Sequence, residues 1–226
     1  MSAGGRGEPV DFRVQTPAGP AAVTLDGLAE PAGLLVLGHG AGGGVDARDL
    51  VAVRDDALTA GYAVARVTQP YRLAGRRAPA PARQLDAAFV AVTAALGDHD
   101  RLRGLPVVTG GRSSGARVAC RTAAVTGARG VLALSFPLHP PGRPERSRAD
   151  ELRTVAVPTL VIQGGRDPFG GPDEVAQGLP AHIRIHAVPG ADHGLKARNG
   201  DPPPLPDVAT TVASWLSELA PRPATP

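Results

Sequence analysis

The sequence predicts an α/β domain built on a mostly parallel sheet with helices on both faces, and three observations carry that expectation. From residue 33 onward, short apolar runs alternate with longer helical patterns. Those runs lack the in–out alternation of a half-exposed strand, so they read as strands buried on both faces. Each run closes on a glycine-rich or polar turn, as a crossover connection requires. A chain of 226 residues suits one sizeable core and is short for two. The expectation is one domain over residues 1–226, with a core from about 10 to 219 and a frayed tail at 220–226.

The elements follow in order. VDFRVQT (10–16) and AAVTLDG (21–27) do alternate, and around PAGP they predict an opening antiparallel hairpin. GLLVLG (33–38) is a buried strand running into the glycine-rich turn HGAGGG. A helix is expected from about Arg48 to Thr59, then the strand YAVARV (62–67). QPYRLAGRRAPAPA (69–82) reads as a long polar loop, and Arg83 to Leu96 as an alanine-rich helix with one apolar face. PVVTGG (106–111) is a strand, SSGARVACRTAAV (113–125) a helix, and GVLALSF (130–136) a strand. LHPPGRPERSRADEL holds at most a short helix, too little for a large lid, so an open site is expected. PTLVIQGG (158–165) and IRIHAV (183–188) are the last strands, and PPPLPDVATTVASWLSELA closes the fold as a helix with Pro near its start.

Composition excludes several function classes. The apolar runs fall well short of the roughly 18 residues of a membrane span. MSAGGRGEPVDF has no apolar stretch of the kind a secretory signal needs, which points to the cytoplasm. The lone Cys120 can make neither an internal disulfide nor a metal cluster, and inside ARVACRTAAV it reads as a small buried apolar residue. The net charge of +3 comes from scattered arginines with aromatics at only 3%, which argues against a nucleic-acid face. Arg72, Arg76 and Arg77 form a basic stretch that reads as a solvated loop rather than a pocket wall.

The strongest local signal is Gly111-Arg112-Ser113-Ser114-Gly115, a G-x-S-x-G sequence between a strand and a helix. A strained strand-to-helix turn lifts the serine hydroxyl above the sheet edge, and the flanking glycines let the helix approach a neighbouring strand. The frame selects Ser113 over Ser114. Such a motif occurs by chance, and taken alone it could be a capped turn. Order decides the matter. Asp167 lies in the turn after PTLVIQ and His193 in the loop after IRIHAV, so Ser, Asp and His each follow their own strand. Loops at the carboxyl edge of an open α/β sheet converge on one crevice, where a nucleophile, an acid and a base can meet.

Rival readings stand beside each choice. Asp167 could make only an Asx turn in RDPFG. Asp192, next to His193, is badly placed to reach that ring, and Asp173 is expected to cap a helix starting near Glu174. His182 and His186 have a metal-pair spacing, but HIRIHAV alternates like a strand and no further ligand completes a site. His99 lies in the polar DHDR turn. His139, in FPLHPPG, lines the pocket or makes a structural turn. Arg112 meets an anionic substrate group or pairs with a structural carboxylate.

His39, Gly40 and Gly42 lie in a loop that also satisfies the dinucleotide pattern G-x-G-x-x-G through Gly38, Gly40 and Gly43. That fingerprint needs an acidic residue at the end of the next strand, and Thr68-Gln69-Pro70 supplies none. A His-Gly-x turn supplying an oxyanion donor fits better. The donors are read as the backbone N–H groups of Ala41 and Ser114, with Gly42 as an alternative to Ala41 and His39 as a candidate pocket residue.

LGHGAGG, GGRSSGARVA, LSFPLHPPGRPE, QGGRDPFG and GADHGLK together resemble a small α/β-hydrolase family related to dienelactone-hydrolase-like proteins. That family includes the testis-expressed hydrolase-like protein and the hydrolase-like subunit of a histone-acetyltransferase complex. The likeness spans residues from about 10 to 219. It implies the α/β-hydrolase fold with about eight strands and no large cap, with nucleophile Ser113, acid Asp167 and base His193. The expected chemistry is hydrolysis of a small ester, thioester or lactone through an acyl-enzyme. A small-molecule acyl substrate is expected, with no metal, no organic cofactor, no nucleic acid and no membrane. A catalytically idle scaffold that binds a ligand or protein is the alternative, and oligomeric state stays open.

Overall fold

A computed structural model describes residues 8–220 of the chain. Part of the predicted tail, residues 221–226, lies outside the described residues. The strands are β1 (Val10–Thr16), β2 (Gly19–Asp26), β3 (Gly33–Gly38), β4 (Tyr62–Thr68), β5 (Val107–Arg112), β6 (Gly130–Leu134), β7 (Thr159–Gly164) and β8 (Ile183–Val188). They form one eight-stranded sheet in the order β1-β2-β4-β3-β5-β6-β7-β8. β1 and β2 pair antiparallel, with Thr16 opposite Gly19 at the hairpin end, and β2 pairs antiparallel with β4. Every later pairing is parallel.

The helices are α1 (Arg48–Thr59), α2 (Pro70–Leu73), α3 (Ala82–Gly97), α4 (Ser114–Thr122), α5 (Ala149–Arg153), α6 (Pro172–Ala176) and α7 (Leu205–Leu219). Side chains of β3 show how the two faces are filled. Leu35 and Leu37 join Leu50 and Val53 of α1 and Val212 and Trp215 of α7 in one cluster. Leu34 and Val36 point the other way, against Phe89 and Val92 of α3. A third cluster sets Val131 and Ala133 of β6 against Ala116 and Ala119 of α4. Each fully buried Leu or Val contributes about 1.5–3 kcal/mol relative to exposure, and both faces of the central strands are used. That explains why their sequences are continuously apolar.

The structure departs from expectation in three of these elements. The polar loop expected at 69–82 contains α2, because Pro70 at the helix start and the buried Tyr71 fold its beginning back onto the sheet. The helix after the G-x-S-x-G motif ends at Thr122 rather than near 125. Asp173 sits in the first turn of α6 rather than at its cap; the Glu174 carboxylate accepts the Gly171 N–H at 3.0 Å instead. Cys120 is buried as expected, and burial pushes its thiol up to about 12. Among the described residues no helix is long and apolar enough to cross a membrane.

Candidate active site

The site lies at the carboxyl ends of β3, β5, β7 and β8. β5 ends at Arg112 and α4 begins at Ser114, which leaves Ser113 as the hinge at φ 52° and ψ −109°. A non-glycine residue there is strained, at a cost of order 1–3 kcal/mol. The Ser113 N–H donates to the Leu134 carbonyl at 2.9 Å, which ties the hinge to β6. The motif's two glycines have a local reason. A Cβ on Gly111 or on Gly115 would collide with the carbonyl oxygen of Gly38 at the end of β3. Their absence lets α4 and the elbow press against β3 and brings the following loop beside the serine. A Cβ on Gly40 would lie 3.6 Å from Ser113 Cβ.

The three loops meet. Ser113 Oγ lies 2.9 Å from His193 Nε2, and His193 Nδ1 lies 2.8 Å from Asp167 Oδ2. Nδ1 therefore carries the proton it donates to Asp167, and Nε2 accepts from the serine hydroxyl. The Asx-turn reading and the acid reading of Asp167 are both realised, one on each oxygen. Oδ1 accepts the Phe169 N–H at 2.9 Å, and Oδ2 faces the imidazole. The Phe169 ring stacks on His193 with centroids 4.2 Å apart.

Gln163, at the end of β7, was not singled out from the sequence. It is fully buried, and its Nε2 donates to Asp167 Oδ2 at 3.0 Å, to the Gly170 carbonyl at 2.7 Å and to the Phe136 carbonyl at 3.3 Å. Its Oε1 accepts the Phe136 N–H at 2.9 Å. One amide thus fastens the acid turn to the end of β6. The available signal was a lone polar side chain closing the apolar run TLVI.

Arg112 takes the structural alternative. Its Nε stands 2.6 Å from Asp49 Oδ2, and its Nη2 donates to the His193 carbonyl at 3.2 Å. It therefore clamps the histidine loop to the start of α1. Burial raises the Asp49 carboxyl above its ordinary range, and the Arg112 charge works against that rise. Asp192 shapes the same loop: its Oδ1 accepts the N–H groups of Gly194 at 2.8 Å and Lys196 at 3.0 Å. Burial opposes its charge, but the Lys196 and Gly194 N–H groups overcome that and hold the carboxyl below the usual range.

The His39 expectation needs correction. Its ring is buried and does not line the cavity at His193. Nδ1 lies 2.8 Å from the Gly40 carbonyl, and Nε2 accepts the Gln69 N–H at 3.1 Å, so the ring is the neutral Nδ1–H tautomer. Burial lowers its pKa, outweighing the Gly40 carbonyl that raises it. The Gly40 carbonyl also accepts the Gly43 N–H at 3.1 Å. A trans peptide points its N–H opposite its C=O, so these two bonds fix the direction of the Ala41 N–H. The Tyr71 hydroxyl does the same for Gly42 by donating to the Ala41 carbonyl at 2.9 Å. No described residue accepts the Ala41 or Ser114 N–H.

His139 makes the structural turn and does not line the cavity at His193. It is buried, its Nδ1 bonds the Pro140 carbonyl at 3.0 Å, and its N–H bonds the Phe169 carbonyl at 3.0 Å. His182 pairs with the Val155 carbonyl and His186 with Asp207, each at 2.8 Å. Beside His193 opens a cavity of about 890 Å³, whose walls include Arg48, Arg112, Pro168, Lys196 and Leu205.

The strand order, the strained elbow and the serine–histidine–aspartate relay define a lid-less α/β-hydrolase. A family model described as an alpha/beta hydrolase domain matches residues 31–219, and the chain belongs to that family. Among solved structures it is similar to a lid-less α/β serine hydrolase from Xanthomonas campestris, at 21% identity over 97% of each chain with a TM-score of 0.74. An α/β serine hydrolase homologue from Coxiella burnetii matches at 16% identity over 93% of this chain and 98% of the other, with a TM-score of 0.76. The dienelactone hydrolase of Anabaena variabilis matches at 20% identity over 95% of this chain and 100% of the other, with a TM-score of 0.74. These likenesses show the fold.

Proposed function

We propose that this protein is a serine hydrolase that cleaves a small carboxylic ester, thioester or lactone through an acyl-enzyme. One observation carries the reading: Ser113 Oγ, His193 and Asp167 form a continuous hydrogen-bonded chain with bonds of 2.9 and 2.8 Å. Ser113 Oγ attacks the carbonyl carbon while His193 Nε2 takes its proton, and the Asp167 carboxylate steadies the imidazolium that forms. The carbonyl oxygen becomes an oxyanion held by the Ala41 and Ser114 N–H groups; losing one such donor costs about 10²–10³ in turnover. The C–O or C–S bond then breaks, and the leaving group takes the proton from His193. Water, deprotonated by His193, attacks the acyl-serine, and the acid product leaves with Ser113 regenerated.

The open cavity beside His193 suits a small-molecule acyl substrate. The motifs SFPLHPPG and GGRDPFG support a narrower kinship with the testis-expressed hydrolase-like branch. A panel of short-chain nitrophenyl esters, thioesters and lactones tests the activity. Turnover of at least one class by the wild type and its loss in Ser113→Ala is expected. Equal rates for both proteins would remove Ser113 from the mechanism.

A further inference from the structure

A second cavity of about 370 Å³ lies between the β1–β2 hairpin turn and the α2–α3 segment. It shares no lining residue with the cavity beside His193. Its volume falls within the range of small-molecule sites. Its floor is apolar, with Pro20, Pro70, Leu73 and Leu85 among the walls. Arg13 and Arg76 stand at the cavity, both exposed, and neither makes an ion pair with a described residue. No carboxylate lines it. The start of α3, which has no side-chain cap, borders it through Gln84 and Leu85 and adds partial positive charge. Gln69, a buried residue of the wall, is held in place by its Nε2, which donates to the Leu85 carbonyl.

We propose that this cavity binds a small organic anion. The anionic group meets Arg13 and Arg76, and the apolar body fills the space between. Two wall residues, Tyr71 and Gln69, reach the loop after β3. Tyr71, a cavity wall, donates to the Ala41 carbonyl, and the Gln69 N–H donates to His39 Nε2. Occupancy is therefore communicated to the loop that carries the Ala41 N–H. This coupling rests on the hydrolase reading; the binding does not.

Calorimetric titration of Ser113→Ala protein with 4-hydroxyphenylacetate tests the binding without turnover. The expected result is one saturable site per chain. Affinity falls about tenfold in Arg13→Gln/Arg76→Gln, whose exposed positions spare the fold. Wild type with Ser113 blocked by a fluorophosphonate still binds the probe at one saturable site. No saturable binding, unchanged affinity in the double variant, or loss of binding on blocking Ser113 overturns the site. In the wild type the probe changes ester turnover, and the double variant abolishes that response; bound probe without any such change overturns the coupling. A protein that binds the probe but turns over no ester sinks the hydrolase reading and leaves the site standing.

Discussion

Replacing Gln163 with Leu isolates the claim that the acid is held by its neighbour and not by the turn alone. The substitution keeps the side chain's approximate volume and introduces no charge. It removes the bond at 3.0 Å to Asp167 Oδ2 and leaves the Phe136 N–H and Gly170 carbonyl without their side-chain partner. A hydrogen bond to a charged group contributes about 1.5–3 kcal/mol, and each stranded buried group costs about 1–3 kcal/mol. Stability should therefore fall by at least about 3.5 kcal/mol. Asp167 keeps the Phe169 N–H, so the relay is loosened rather than lost. At 1.36 kcal/mol per decade, a partial loss of orientation predicts a drop in kcat of about tenfold. KM should hold, because Gln163 does not line the cavity beside His193. The assay is nitrophenyl acetate turnover, with kcat and KM separated, at a temperature where circular dichroism shows the variant folded. Unchanged kcat in folded protein would refute the positioning role.

Two further perturbations test other joints. Arg112→Met leaves the nearly fully buried Asp49 carboxylate without its cation and should cost about 3 kcal/mol in urea unfolding; adding Asp49→Leu should restore most of it, and equal stabilities of the single and double variants would contradict the clamp. His39 is held neutral, with its folded pKa below the ordinary imidazole value of 6.5, so it contributes stability that is complete above 6.5 and lost as pH falls toward the folded value. Asp49 runs the other way: its raised folded pKa gives stability that is full below 3.8 and lost as pH rises through the folded value. Comparing wild type with His39→Gln isolates the first effect. The variant should lose less stability between neutral and mildly acidic pH, and parallel melting curves across that range would contradict the assignment.

Sequence patterning reached the scaffold because burial on both faces forces continuous apolar strands, and GLLVLG, PVVTGG and PTLVIQGG have that form. Ser113, Asp167 and His193 were legible because the fold delivers successive strand ends to one edge, so chain order stands in for proximity. The supporting residues were hidden because their roles come from tertiary partners. Gln163 has meaning only once β6 and the acid turn are beside it, and Asp49 only once α1 is set against the histidine loop. His39 was placed in the pocket on its motif, yet its ring turns inward because the Gln69 N–H waits on the far side. QPYRLAG read as loop on polarity, whereas Tyr71 buries its ring and uses its hydroxyl on Ala41.

The most direct test is mass analysis after exposure to a fluorophosphonate probe. Activation of the serine by His193 predicts a single covalent adduct, located by peptide mapping at Ser113. That adduct should be absent in Ser113→Ala and strongly slowed in His193→Ala. Folded wild type that stays unlabelled, or an adduct on any other serine, would contradict the account.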